Sequence, residues 1–338
     1  MAINKLKIEN FKSIRNLELD CKRVNVFIGE PNTGKSNILE AIGLVSHICY
    51  GRLNDFVRLE TMLDIFYDRN LGDTIRIGFD DYILEIAFKN GMFTGTFIHK
   101  EQPNTSRARA LFDYGYEGGG AHRRGQFGGE LNILEAFKFY RFRRLSTFPE
   151  VMSDFLSPPY GTNLLHIILT NKDLKKTLSD LFKGFGYRIV FKPPEGRIEV
   201  QKDLEDIIVS IPYALSSETL QRIAFYLAAI YSNKDSVISF EEPEAHAFPY
   251  YTKYLAEKIA LDKTNNQYFI ATHNPYFLIS IIEKTPKDEI ATFVTYFKDY
   301  QTKTKALSEN DIERALGMGS DLFFNINQFL EKDSGKGN

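Results

Sequence analysis

The sequence contains no tryptophan, only two cysteines, and no apolar run of the roughly eighteen residues that a membrane span needs. Cys21 and Cys49 lie far apart and show neither CxxC nor histidine-paired spacing, which argues against a disulfide framework or a zinc site. The opening MAINKLKIENFKSI lacks the apolar core of a signal peptide. A soluble, cytoplasmic protein with no membrane contact is therefore expected. An excess of charge of one sign is missing as well: 42 basic and 44 acidic side chains leave −2 over 338 residues, so the chain as a whole does not announce a polyanion surface, although a local basic patch stays open. No internal repeat and no long heptad pattern is visible, which excludes extended coiled-coil arms.

Apolar residues make up 43% of the chain, with 28 phenylalanines and 18 tyrosines, enough for a substantial core. KLKIENF and IRNLELD alternate as paired strands, RVNVFIG reads as a third strand, and Lys35–Tyr50 has helical spacing through Ile38, Leu39, Ile42 and Val45. A meander over 74–100 turns at Asn90-Gly91, a pair suited to a type I′ turn. Residues 101–130 are glycine-rich and basic. They read as a mobile surface excursion, or as a flexible arm carrying Arg107, Arg109, Arg123 and Arg124 toward a polyanion. Further on, the pattern predicts a strand over 138–143, a helix over 163–182 and a hairpin turning at Pro194-Glu195-Gly196. IIVSIP then leads into an amphipathic helix, VISFEE is a strand, Pro249–Ala260 a helix, QYFIA a strand and 276–283 a helix. A last strand pair and one or two short helices precede a polar tail.

GEPNTGKS, 29–36, satisfies GxxxxGK[ST] and sits between a strand and a helix. Glycines at Gly29 and Gly34 let successive N–H groups converge on phosphate oxygens, and the following helix adds its positive end. Lys35 offers a mobile cation to the outer phosphates and Ser36 a hydroxyl to Mg²⁺. The nucleotide-binding set is Gly29, Asn32, Thr33, Gly34, Lys35, Ser36 and Asn37. The strand VISF ends in Glu241 and Glu242, acids that make sense beside a dication: Glu241 to hold Mg²⁺ directly or through its water shell, Glu242 to orient or deprotonate the attacking water. A merely solvated strand end is the competing explanation. His246 alone is as readily a packing or capping residue.

GEPNTGKS, LSSETLQR, VISFEEPEAH and IATHNP, in that order, resemble the ABC-type ATPases of the RecF/SMC/OLD (overcoming lysogenisation defect) grouping, especially the short AAA-type ATP-binding proteins related to OLD ATPase domains. KIENFKSIRNLEL is similar to the grouping's N-terminal strand pair. The resemblance covers both ends of the chain and leaves 51–206 as a divergent middle. It implies an α/β P-loop NTPase of ABC-ATPase-head type: a mixed core sheet around the P-loop, an antiparallel β subdomain built from the N-terminal hairpin and the 74–100 meander, and a helical lobe bearing the signature motif. One domain over 1–330 is expected, divided as 1–50, 51–206 and 207–330, with a tail at 331–338.

By that resemblance Lys35, Glu242 and His273 form the catalytic set, His273 as the switch histidine, with Ser36 and Glu241 on the metal. Ser216, Ser217 and Glu218 fall at the signature motif, which reaches the γ-phosphate of the other protomer, and Glu244, Ala245 and His246 fall near the dimer seam. Gly161 with Thr162-Asn163-Leu164 resembles the entry to the helical subdomain. The Q-loop glutamine has three candidates, Gln102, Gln126 and Gln201. Glu218 stands where the family usually has glycine, and a carboxylate there would be repelled by phosphate unless turned away. LSSETLQR also reads as a plain helix start capped by Ser216 or Ser217. ATP and Mg²⁺ are the implied cofactors, and a homodimer through the ATP-sandwich face the implied assembly. The implied process is linked to nucleic acid, either DNA repair and maintenance or anti-phage defence. The chain after His273 is too short for the nuclease domain of larger OLD proteins, so a nuclease or toxin partner is expected in trans. The alternative is an ATP-sensing subunit acting on a protein partner. A transporter subunit fits poorly, because Ser36 and Ser216 stand 180 residues apart.

Overall fold

Alternation along the first strands sets one layer. The computed structural model describes residues 2–100, 109–122, 132–150 and 153–330. In β1 (Lys5–Phe11) and β2 (Ile14–Asp20) Leu6 and Ile8, and Leu17 and Leu19, point inward in alternation, and the antiparallel register sets Leu6 against Leu19 and Ile8 against Leu17. All of β3 (Val24–Ile28) is buried, as in a central strand covered on both faces. α1 (Lys35–Tyr50) and the short α2 (Leu53–Phe56) follow.

The meander is β4 (Ile75–Phe79), β5 (Tyr82–Lys89) and β6 (Met92–His99), with Asn90 and Gly91 at φ 51° and 79°, the left-handed pair that a type I′ turn requires. Two more strands, β7 (Arg109–Tyr114) and β8 (Gly120–His122), complete a seven-stranded sheet in the order β2-β1-β4-β5-β6-β7-β8. The expected excursion over 101–130 is thus partly sheet. Leu111 and Phe112 are buried, and the Phe112 ring lies where a Cβ on Gly95 would come within 2.3 Å, so β6 carries glycine there to admit it. Arg109 opens β7, whereas Arg107, Arg123 and Arg124 lie outside the described residues.

After α3 (Asn132–Glu135), β9 (Phe137–Tyr140) stops short of the strand predicted over 138–143, because the Arg141 N–H turns aside to the Pro159 carbonyl at 2.9 Å. The helix predicted over 163–182 is two, α4 (Leu164–Thr170) and α5 (Lys172–Lys183). They break at Asn171, whose side chain accepts from Leu174 N–H at 2.9 Å and donates to the Tyr231 carbonyl at 3.1 Å. β10 (Arg188–Lys192), β11 (Arg197–Leu204) and β12 (Ile207–Pro212) form a small antiparallel sheet that leads into α6 (Glu218–Ser232). Then come β13 (Val237–Glu241), α7 (Pro249–Ala260), β14 (Gln267–Ala271), α8 (Pro275–Lys284), β15 (Ile290–Lys298), β16 (Gln301–Ala306) and α9 (Glu309–Met318).

The core sheet has the order β16-β15-β3-β14-β13-β9, parallel except for β16. The strand ending in Glu241 is separated from the P-loop strand by β14, which pairs with both. Successive residues point to opposite faces, which divides the interior in two. Phe27 and Phe269 pack with α1 and the antiparallel sheet, while Val26, Ile270 and Phe240 pack with the helices of the other layer. Since β3, β13 and β14 run parallel, the loops after them emerge at one edge, the usual location of a site in such sheets. Among the described residues no helix is long and apolar enough to cross a membrane.

Asn171→Ala removes the cap that starts α5 and should lower unfolding free energy by about 1 kcal/mol. Urea titration with an unchanged m-value checks this; an unaltered midpoint would mean the cap contributes nothing.

Candidate functional site

The glycine-rich turn after β3 depends on left-handed backbone: Gly34 has φ 97° and Asn32 φ 62°, asparagine being a residue that tolerates this region. A side chain on Gly34 is also excluded by space, since a Cβ would meet Thr302 Oγ1 at 2.0 Å. Thr302, on β16, braces the loop: its hydroxyl donates to the Thr33 carbonyl at 3.0 Å and meets Ser13 Oγ at 2.7 Å. Asn37 Nδ2 donates to the same Ser13 Oγ at 2.7 Å, tying α1 to the turn of the N-terminal hairpin. α1 begins at Gly34 with no side-chain cap and no acid in its first turn, so its leading N–H groups have no side-chain acceptor and suit an anion.

Lys35 is 5% exposed and folded onto its own loop, Nζ donating to the carbonyls of Gly29 at 2.9 Å and Glu30 at 2.7 Å. Burial lowers its pKa to about 8, against the pull of Glu242 and Glu30. Burial thus weakens the hold of Lys35 on its proton, which a further anion would strengthen.

Glu241, at the end of β13, meets two arginines, Arg141 at 3.4 Å and Arg58 at 3.7 Å. Both also reach Glu40 of α1, which is wholly buried: Arg58 Nε lies 2.6 Å and Arg141 3.3 Å from its Oε1, and Lys12 bonds its other oxygen. Burial opposes the charge on Arg58, but Glu40, Glu241 and Glu242 together hold its pKa above the ordinary value. Burial lowers the pKa of Lys12 despite Glu40. Sequence reasoning missed this cluster. Its one local signal was Glu40, a lone acid inside the apolar run ILEAIGLV.

Glu242 sits at φ 44° with its N–H on the Ala271 carbonyl at 2.9 Å, and its carboxylate stands 3.5 Å from His273 Nε2. Burial and the charge of Lys35 lower the histidine pKa, while Glu242 works the other way. Lys35, Glu241, Glu242 and His273 thus lie at or just beyond the ends of strands at one edge of one sheet. Ser36 is half-buried beside Lys35 in the first turn of α1. Among the described residues no group of three or more His, Cys, Asp or Glu could hold a metal alone, so a cation at Ser36 and Glu241 would need phosphate oxygens as further ligands, the way Mg²⁺ is held with nucleotides.

Ser217 is the N-cap of α6 but makes no side-chain cap bond, and Ser216 Oγ donates to the Tyr213 carbonyl at 2.7 Å, so the expected hydroxyl capping is not formed. Glu218 is turned aside: Arg222 Nε lies 2.9 Å from one oxygen and Arg144 3.2 Å from the other, and the hydrogen bond with Arg222 lowers its pKa despite burial. Thr219 Oγ1 donates to the His246 carbonyl at 2.7 Å, joining the start of α6 to the loop after β13. Asn163, fully buried, bonds the Ser157 N–H and the Phe155 carbonyl, and Gly161 before it has φ 69°. Of the Q-loop candidates, Gln201 lies on β11 of the small sheet, and Gln102 and Gln126 lie outside the described residues. The residue that follows β9 beside Glu241 is Arg141.

A family profile described as AAA ATPase domain matches residues 1–180. No curated protein sequence matches the chain. Among solved structures, a SmcHead bound to the C-winged helix domain of ScpA aligns with a TM-score of 0.55 and 14% identity, over 93% of this chain and 100% of that one. An Smc head with an extended coiled coil, bound to the C-terminal domain of ScpA derived from Pyrococcus furiosus, gives 0.53 and 13% over 93% and 98%. At such identities the likeness is one of fold, that of a P-loop NTPase head of ABC type.

Glu40→Ala would leave Lys12, Arg58 and Arg141 without their shared buried anion and should cost about 3 kcal/mol of stability. Denaturant unfolding is the measurement; a loss below about 1 kcal/mol would show that the cations find other partners.

Proposed function

The chain belongs to the AAA ATPase domain family and has the ABC-type ATPase head fold of the RecF/SMC/OLD grouping, and from that premise we propose that it binds ATP with Mg²⁺, closes as a homodimer around two nucleotides and hydrolyses them. The observation that carries this reading is the convergence of Lys35, Glu241, Glu242 and His273 at one sheet edge, beside an uncapped helix start. Ser36 and Glu241 are the residues that would hold Mg²⁺, which when bound draws charge from the phosphate oxygens. Lys35 leaves the Gly29 and Glu30 carbonyls for the phosphates and regains its full charge. Glu242, half-exposed, orients the attacking water and accepts its proton; His273, kept neutral by burial, is a hydrogen-bonding group for the γ-phosphate.

Exposed apolar side chains at Leu215, Phe248 and Tyr250 flank the Thr219–His246 link, and they support a second copy docking over the signature motif. Ser217, whose hydroxyl makes no cap bond, then offers it to the partner's nucleotide. Because Arg222 and Arg144 hold the Glu218 carboxylate, its charge does not face that phosphate alone, which favours hydrolysis over a purely ATP-sensing subunit. The closing motion serves a process linked to nucleic acid, DNA repair and maintenance or defence against phage, with a nuclease or toxin partner in trans. The two solved heads of like fold are complexes with ScpA domains, which supports a docked protein partner here.

Glu242→Gln should cut turnover by roughly a hundredfold or more while ATP drives the variant into a stable dimer, seen by light scattering. A variant that stays monomeric with ATP·Mg²⁺ sinks the sandwich. With its pKa at about 8, Lys35 in the free protein is about half protonated at pH 8; beside phosphates it is fully protonated. Binding at pH 8 should therefore take up roughly half a proton, falling toward zero by about pH 6.5. Calorimetry in buffers of different ionisation enthalpy measures the uptake, and proton release at pH 8 would contradict the assignment.

A further inference from the structure

Glu244 is the acid of the run EEPE that the mechanism does not use and the one most deeply buried, at 4% exposure. Its Oε1 accepts from Thr272 Oγ1 at 2.5 Å, and Thr272 Oγ1 in turn accepts from the Asn274 N–H at 3.0 Å. His273 lies between those two partners. Thr272 is itself fully buried, with its N–H on the Phe27 carbonyl at 3.1 Å, and Asn274 caps α8 through the N–H groups of Tyr276 and Phe277. The second oxygen, Oε2, is buried without a hydrogen-bond partner among the described residues. Burial, helped by the charge of Glu242, raises the pKa of this carboxyl to about 7, opposed by hydrogen bonding from Thr272 and from the backbone amides of Glu244 and His273.

A hydroxyl has one proton and two acceptor sites, so donating to Glu244 fixes its rotor and aims a lone pair at the Asn274 N–H. A buried carboxyl with one oxygen short of a partner is costly. We propose that Glu244 is a positioning residue: through Thr272 it clamps the 272–274 turn to the loop after β13, so that His273 and Glu242, carried by different strands, stay in register. The inference rests on the ATPase reading for its consequence but not for the clamp itself. Movement of the Glu242 loop on nucleotide binding would pass to His273 through this contact.

Four variants and two readouts test it. Glu244→Ala and Thr272→Val should each lower kcat about tenfold with KM within about twofold of the parent, and the double variant should be no worse than the poorer single. Glu244→Gln, which keeps an acceptor for Thr272, should stay within about threefold of the parent. In the nucleotide-free protein, amides of 272–274 should exchange hydrogen about tenfold faster in Glu244→Ala than in the parent. Unchanged exchange overturns the clamp whatever the turnover, and so do additive losses, a loss confined to KM, or equal losses in the Gln and Ala variants. A parent protein that hydrolyses no ATP would sink the ATPase reading while the exchange measurement still decides the clamp, and Thr272→Val keeps the test open if Glu244→Ala does not fold.

Discussion

A full carboxylate at zero exposure is what the architecture is arranged around. Glu40 lies inside α1, and the cations that make its burial tolerable come from three separate parts of the chain: Lys12 from the hairpin turn, Arg58 after α2, and Arg141 after β9. A buried charge is tolerated only when it is paired and hydrogen-bonded, so these segments must arrive together for α1 to seat. Two of the three cations extend to Glu241. The charge that fixes the P-loop helix in the fold is thereby the one that fixes the acidic end of β13.

The charged groups of the site are paired within the chain. Lys35 is held by its own loop carbonyls, Glu241 by arginines, Glu218 by Arg222 and Arg144. On the proposed reading, a ligand of high negative charge accompanied by a dication would exchange these contacts for its own, and the exchange would not stay local. Arg141 and Arg144 are three residues apart on one strap, which joins Glu241 to the start of α6. Between them Phe142 lies under the Arg222 guanidinium at 4.7 Å and Arg143 lies over the Tyr160 ring at 5.3 Å. Releasing Glu241 from Arg141 would therefore loosen one end of the segment whose other end holds Glu218.

What the sequence revealed follows the range of the forces involved. The P-loop, the bounds of α1 and α7, the Asn90-Gly91 turn and the Pro194-Glu195-Gly196 turn are written in neighbouring residues, and local periodicity or turn chemistry is enough to find them. Asn171, by contrast, interrupts a helical pattern that continues on both sides, and only its bonds to Leu174 and Tyr231 show the break. The intervention of β14 between β3 and β13 is a matter of sheet order, to which hydrophobic patterning is blind. The partnership of Glu40 with Arg141 spans 101 positions, and each residue alone reads as an ordinary charged side chain. In 101–130 composition outweighed pattern: the glycines that suggested an excursion all follow the short segment RALFDY that makes a strand.

Glu242 shows how the scaffold places a reactive group. A non-glycine residue at φ 44° is disfavoured by about 1 kcal/mol, and glutamate lacks the short side chain that lets asparagine or aspartate settle there. Its N–H bond to Ala271 ties the strained residue to the end of β14, the strand that carries His273, so the backbone is constrained where the two loops must agree. Were Glu242 in the extended region its side chain would continue the alternation of β13, which buries every residue from Val237 to Phe240 and leaves Glu241 half-buried. The left-handed turn breaks that alternation, and this is what brings a second acid out beside the histidine instead of into the core.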